Sequence, residues 1–407
     1  MKGVYHMVNS GDTAWMLVAT ALVMVMTPGL GLFYGGMVRS KNVLGTMMHS
    51  FMCLGIVSVL WVLFGYSLSF GPDIGGFIGS LDWVGLKGVG LGPGPYSDKV
   101  PHLIYCSFQL MFAIITPALI TGAYAERMKF SAFVLFTVLW STLVYFPLCH
   151  WVWGGGWLGK MGALDFAGGT VIHLNSGVAA LAAVLIIGKR KGYQRDPIYP
   201  NNLTLTMLGA GLLWFGWFGF NAGSAVASNG VAVLAFFATQ IATATAALSW
   251  IIFEKIIRKK STTLGFASGA VAGLVAITPA SGFVTPLPAM VIGFVAGMIC
   301  YFAVLAKDGL GYDDSLDVVG VHGVGGLWGA LATGLFASVG GTGLFYGNPH
   351  QLVVQVIACL TAIVFSFIMT SIILLVVKKI TGLRVEEEEE VQGLDLSMHG
   401  ETGYYLR

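Results

Sequence analysis

The chain has 407 residues, 56% of them hydrophobic and only 10% charged, against roughly 25% charged in soluble domains. That balance excludes a soluble domain of ordinary size; the formal net charge of +2 says little about partners, but a chain this apolar shows no basic surface suited to nucleic acid. The chain reads as one polytopic domain built into a lipid bilayer, with no nucleic-acid partner.

Residues 1–12 (MKGVYHMVNSGD) form a short external N-terminus without the basic n-region and small-residue cleavage site of a secretory signal. Either nothing is cleaved or a signal was removed before Met1. Apolar runs of about 20 residues, each enough to cross a hydrocarbon core of about 30 Å, then follow one another. They place helical spans near 13–36, 42–70, 103–124, 130–152, 168–188, 203–222, 231–253, 264–280, 284–306, 319–341 and 351–377. The expected fold is therefore an all-α membrane protein of eleven transmembrane helices over 13–377, followed by a tail over 378–407. The five cysteines (Cys53, Cys106, Cys149, Cys300, Cys359) lie in or beside these runs and read as inert thiols.

The 21 lysines and arginines divide unevenly between alternate connections. Only Lys2, Lys87, Lys99 and Lys160 fall on the N-terminal side. The rest, from Arg39 and Lys41 to Lys378, Lys379, Arg384 and Arg407, fall on the other. The positive-inside rule puts the N-terminus outside and the C-terminus in the cytoplasm. Eleven divides as five, five and one: a five-helix unit repeated in tandem enters the membrane the opposite way the second time. The repeats would span 13–188 and 203–341, with 351–377 as the extra helix. LDFAGGTVIHLNSGVAALA (164–182) and LDVVGVHGVGGLWGALA (316–332) carry a weak trace of this repeat, although Asp165 precedes its histidine by eight residues and Asp317 by five. Glycines at 265, 269 and 273, and again at 293 and 297, have the spacing of close helix crossings.

His173 and His322 fall in the fifth and tenth spans, equivalent positions under that repeat. An ionisable group in a span is costly and must find a partner. Either histidine alone could be structural; two at matched positions point to function. Neutral imidazole has one donor and one acceptor nitrogen, so a pair can pass a proton or hold a polar molecule. Asp165 stands about 12 Å before His173 along a helix and reads as a cap whose charge also shapes the site. Phe108, Phe112, Trp151, Trp153, Trp157, Trp217 and Phe220 crowd the outer ends of spans, where most serve as interfacial anchors and a few could offer ring faces to a cation. A haem or metal site at the histidines would need further ligands that the sequence does not supply. No cofactor, metal or enzymatic role is expected.

Seven stretches, PGLGLFYGGMVRSKNVL (28–44), GAYAERMKF (122–130), WGGGWL (153–158), LDFAGGTVIHLNSG (164–177), WFGFNAGSA (217–225), ITPASGF (277–283) and DVVGVHGVGG (317–326), resemble the ammonium transporter family (Amt, Mep and Rh proteins), within it the Amt branch. The resemblance runs from about Ser10 to the end. It implies a homotrimer in the cell membrane with one pore per subunit, an ammonium recruitment site at Phe108, Trp153 and Ser224 with Asp165 beneath, a gate of Phe112 and Phe220, and a pore pair of His173 and His322. The tail pattern GLDLSMHGE (393–401) resembles the family's docking tail, which can meet a trimeric PII-family signalling protein. The five glutamates at 386–390 read by themselves as a solvated acidic run. Transport of net ammonium is the expected function. The alternatives are an electroneutral ammonia channel and an ammonium sensor signalling through its tail, the latter disfavoured by the lack of an appended kinase or cyclase domain.

Overall fold

Long apolar sequence runs become helices because a backbone in hydrocarbon must satisfy every N–H and C=O within its own segment. The structure, a computed structural model, describes residues 8–404, so the start of the expected N-terminal segment and Arg407 lie outside the described residues. Ten of its helices are long and apolar enough to cross a membrane: α1 (Ser10–Met37), α2 (Ser40–Phe70), α3 (His102–Ile120), α4 (Phe130–Met161), α5 (Gly169–Ile187), α6 (Leu203–Gly223), α7 (Gly230–Arg258), α9 (Pro286–Leu310), α10 (Val319–Phe336) and α11 (Pro349–Thr381). The remaining apolar helix, α8 (Thr263–Ile277), has 15 residues, about 22 Å at 1.5 Å per residue. It covers the expected 264–280 span but gives way to turns from Thr278.

Several boundaries differ from the expected ones. The 103–124 span ends at Ile120, before a run of turns, and the 319–341 span ends at Phe336. The fold is not purely helical either. The connection from α2 to α3 holds two small antiparallel hairpins, Asp73–Ile74 with Ile78–Gly79 and Pro93–Gly94 with Ser97–Pro101.

The first helices of the two expected repeats, α1 and α6, pack along their length, and α7 packs on α8 and α9. Glycines set these distances. A methyl group at Gly209 would land 2.3 Å from the Phe33 nitrogen, and one at Gly293 or Gly297 would land 2.2 Å from the Ala242 or Ala246 carbonyl oxygen. Gly265, Gly269 and Gly273 likewise face Glu254, Trp250 and Ala246. Without a hydrophobic force between helices in lipid, such small-residue contacts supply the packing attraction.

A network of buried ion pairs joins the connections on the Lys/Arg-rich face. Glu126 accepts from the Arg39 backbone N–H (2.8 Å), the Arg39 Nε (3.0 Å) and the Asn42 amide (2.9 Å) on one oxygen, and from Arg190 Nη1 (2.9 Å) on the other. Arg190 also grips Asp313, at 2.8 Å from Nη2 and 2.9 Å from Nε. Arg127 donates to the carbonyls of Gly188 and Asp313 at 2.9 and 2.6 Å. Four loops are thereby tied together. The tail folds back onto the same face: Lys129 N–H meets the Leu383 carbonyl, Val385 N–H meets that of Arg127, and Asp395 accepts the Leu44 and Gly45 N–H groups (3.0 and 2.8 Å) at the start of α2. The glutamate run is more than solvated. Glu386 and Glu389 form a reciprocal cap on α12 (Glu387–Gln392), and Glu390 is buried against Arg384 at 2.6 Å.

Burial alone would raise the Glu126 and Asp313 carboxyls, but Arg190, with Arg39 on the first and Arg127 on the second, outweighs it and holds both below their ordinary values. Their stabilisation is therefore complete above pH 4.5 and 3.8 and is lost as pH falls through the depressed values. Arg190→Gln leaves two buried carboxylates short of a partner, a loss of about 3 to 5 kcal/mol. Its unfolding midpoint in detergent should drop well below that of the parent at pH 7, and the gap should narrow in acid.

Candidate functional site

The two histidines reach one another because two helices begin in the same unusual way. The first turn of α5, Gly169–Leu174, is a π turn carrying His173 and leads into the α-helix Asn175–Ile187. The first turn of α10, Val319–Gly323, is a π turn carrying His322 and leads into Val324–Phe336. Such turns insert extra backbone and are frequent at functional positions. A buried aspartate precedes each. Asp165 accepts the N–H groups of Gly168, Gly169, Thr170 and Val171 at 2.8, 2.7, 2.9 and 3.1 Å. Asp314 accepts that of Val319 at 2.7 Å. Asp314, not Asp317, thus caps α10 as Asp165 caps α5, and each stands eight residues before its histidine. Asp317 instead pairs with Lys307 and sits at φ 63°. Burial pushes the Asp165 carboxyl up despite its four N–H donors, and the Asp314 carboxyl up to about 6.

Helices α5 and α10 cross with almost no side chain between them. A methyl at Gly177 would sit 2.2 Å from the Gly323 Cα, and one at Gly326 would sit 3.0 Å from the His173 Cβ. Only this contact brings His173 Nδ1 to 3.2 Å from His322 Nδ1, with ring centroids 5.3 Å apart and planes 24° from parallel. Two neutral rings sharing one proton across the Nδ1 atoms leave one Nε2 as an acceptor and the other as a donor. The His173 Nε2 is buried and has no protein partner.

Aromatic rings close the approach from the side of the N-terminus. The Phe112 and Phe220 rings lie 4.3 Å apart between centroids, tilted by 44°, and the Phe220 ring lies 6.1 Å from that of His173. Both phenyls are buried, at 1% and 0% exposure, so this point is shut. Phe108 meets Phe112 at 4.8 Å and Trp153 meets it at 6.0 Å. Trp153 is held by its indole N–H to the Asp165 carbonyl (2.8 Å), and the Ser224 hydroxyl donates to the Phe220 carbonyl (2.9 Å). The structure thus gathers all eight expected site residues along one line, with Asp165 touching it through Trp153 while its carboxylate caps α5. Beyond the pair, a narrow cleft lined by Phe33, Tyr34, Leu316, Val321 and His322 continues toward the opposite face.

Sequence reasoning missed the placement of Trp217. It is not an interfacial anchor but lies against the His173 ring at 5.3 Å, fixed by its N–H to Thr278 Oγ1 at 2.8 Å. Its spacing of three from Phe220, one turn of the same helix, was the available signal. Among the described residues no group of three or more His, Cys, Asp or Glu side chains is placed to hold a metal.

A bundle of ten helices long and apolar enough to cross a membrane, packed around a line of aromatic rings and paired imidazoles, is a multi-pass membrane protein. The model of the Ammonium Transporter Family matches residues 14–404, and the chain belongs to that family. It is 55% identical to the ammonium transporter of Bacillus subtilis over 400 residues, 97% of this chain and 98% of the relative. Mep2 of Candida albicans superposes with a TM-score of 0.90 at 38% identity, covering 95% of this chain and 88% of the other. A sensor Amt protein superposes with a TM-score of 0.89 at 31% identity, covering 96% and 98%.

Gly177→Ala drives a methyl into the Gly323 backbone, an overpacking typically worth about 1 to 3 kcal/mol. The expected outcome is a folded protein of lower melting temperature whose histidine-dependent activity is lost, because relief requires α5 and α10 to part. Full activity would show that the crossing is not what sets the imidazole distance.

Proposed function

We propose that the chain moves ammonium across the cell membrane as net positive charge, through a route within each subunit. The single observation that carries this reading is the His173–His322 pair, 3.2 Å between Nδ1 atoms, behind the Phe112–Phe220 ring contact. Ammonium is recruited by the faces of Phe108 and Trp153 and by Ser224, with Asp165 beneath. Cation–π contacts of at most about 2 kcal/mol each do not offset stripping water from an ion, whose effective penalty is several kcal/mol. The ion therefore gives up its proton near the phenyl gate. Ammonia passes along the imidazoles, and the proton follows through the pair. Potassium has no proton to give and is rejected by the same barrier.

The topology belongs to the same proposal: eleven spans, with α8 completed by the turn after it, an inverted five-plus-five repeat and one extra helix, N-terminus outside and C-terminus in the cytoplasm. The Lys/Arg asymmetry supports the orientation, and the matched π turns and aspartates of α5 and α10 support the repeat. A homotrimer, and a PII-family protein meeting the docked tail at the cytoplasmic face, complete the reading. A second reading, an ammonium sensor, is kept because of the likeness to the sensor Amt protein.

Purified protein in liposomes on a solid-supported membrane, given an ammonium pulse with potassium as control, tests the proposal. Current for ammonium alone is expected. An internal pH rise without current would make it an electroneutral ammonia channel, and neither signal would favour the sensor. His322→Ala should abolish the ammonium current; unchanged current with intact selectivity would sink the relay. Ending the chain at Gly382 removes the contacts made by Asp395 and Glu390, so flux should fall while the oligomer, measured by native mass spectrometry, stays assembled.

A further inference from the structure

Outside the histidine line lies another buried imidazole that transport does not use. His150, near the outer end of α4, is fully buried. Its Nδ1 lies 3.0 Å from the Ser69 carbonyl oxygen and its Nε2 3.0 Å from Asp73 Oδ1. Neither atom has a proton to give. One is a backbone carbonyl, and the other belongs to a carboxylate that also pairs with Lys160 and accepts the Gly76 N–H. Neutral imidazole has a single donor and would turn a lone pair toward one of these oxygens; only a doubly protonated ring donates to both.

The turn that follows is wrapped directly on this ring. The His150 carbonyl accepts the N–H groups of Gly154 and Gly156, at 3.0 and 2.9 Å, and the Trp157 N–H donates to Gly76 at 3.0 Å. A methyl at Gly154 would lie 1.9 Å from the Ser69 carbonyl oxygen and 2.6 Å from His150 Nδ1. Trp153, the outer wall of the aromatic approach, stands inside that turn. One end of the turn rests on His150 and the other on Gly76, and Asp73 holds both.

We propose that His150 is an imidazolium clamped between the Ser69 carbonyl and Asp73, and that the clamp positions Trp153 to recruit ammonium. The proposal rests on the recruitment role assigned to Trp153 above. The charged and titratable groups around the ring are Asp73 and, through it, Lys160 on the outer side, Cys149 next to it on α4, and Tyr96, whose hydroxyl donates to the Phe70 and Gly154 carbonyls. Asp73 alone among them bonds the ring and carries the opposite charge. His150 is a positioning residue: it acts on ammonium only through Trp153.

Two measurements on the full-length protein in liposomes test this. In 15N-histidine NMR spectra, the resonances that vanish in His150→Gln identify the ring; both nitrogens protonated at neutral pH are expected, and a singly protonated tautomer would overturn the clamp. In current recordings, His150→Gln and Asp73→Asn should each raise the half-saturating ammonium concentration roughly tenfold, the effect of one lost charge-assisted hydrogen bond, with maximal current retained. Asp73→Glu, which keeps the carboxylate, should recover most of the loss. Unchanged half-saturation, or maximal current lost at unchanged half-saturation, overturns the positioning role. Absence of any parental current would refute the transport reading instead, and the spectra would still decide the protonation of His150.

Discussion

The contact between the backbones of α5 and α10 at Gly177 and Gly323 is the constraint on which the rest of the site depends. Imidazole rings on helices held at an ordinary 8 to 10 Å by leucine-sized side chains would not share a proton. Glycine removes the spacers, and the π turns just before the crossing aim both rings inward. Each turn needs a cap, because it opens with backbone donors facing an apolar interior, where each unsatisfied group costs several kcal/mol. Asp165 and Asp314 meet that need, so their first duty is to the helix ends.

Polar chemistry differs sharply between the central line and the Lys/Arg-rich face. Along the central line almost nothing but the two imidazoles can carry charge, and Thr278 and Ser224 spend their hydroxyls on carbonyls within their own helices. On the Lys/Arg-rich face, Glu126, Arg127, Arg190 and Asp313 are buried but mutually satisfied. Breaking that set would leave a lone charge next to hydrocarbon, so the loops are held as firmly as the helices they join.

Much of this was legible in the sequence. Apolar runs anticipated the ten long apolar helices, with ends within about five residues except at 130–152, where the helix continues to Met161, since hydropathy and length are the physics of crossing. The two histidines stood out because ionisable groups are rare in such runs. What escaped depended on backbone geometry. No pattern rule marks a π turn, so the repeat was aligned through Asp317 and the Leu-Asp pair, although Asp314 stands eight residues before its histidine, as Asp165 does. Trp217 was grouped with interfacial anchors because aromatic composition does not say which face of α6 is buried. The hairpins between α2 and α3 lie in a glycine- and proline-rich stretch where periodicity is silent, and the glutamate run looked solvated because its partner Arg384 is set by the fold-back of the tail.

The loop network also fixes an order of assembly. Arg39, Glu126, Arg127 and Arg190 emerge with the first five helices, whereas Asp313 arrives only after α9, and Asp395 later still. Until then Arg127 and Arg190 have no Asp313 to bind, and the amino end of α2 has no carboxylate over it. A nascent chain at that stage is half built and over-positive on one face. The late segments therefore act as keystones, and a subunit that has closed its network has certified that its second half was inserted.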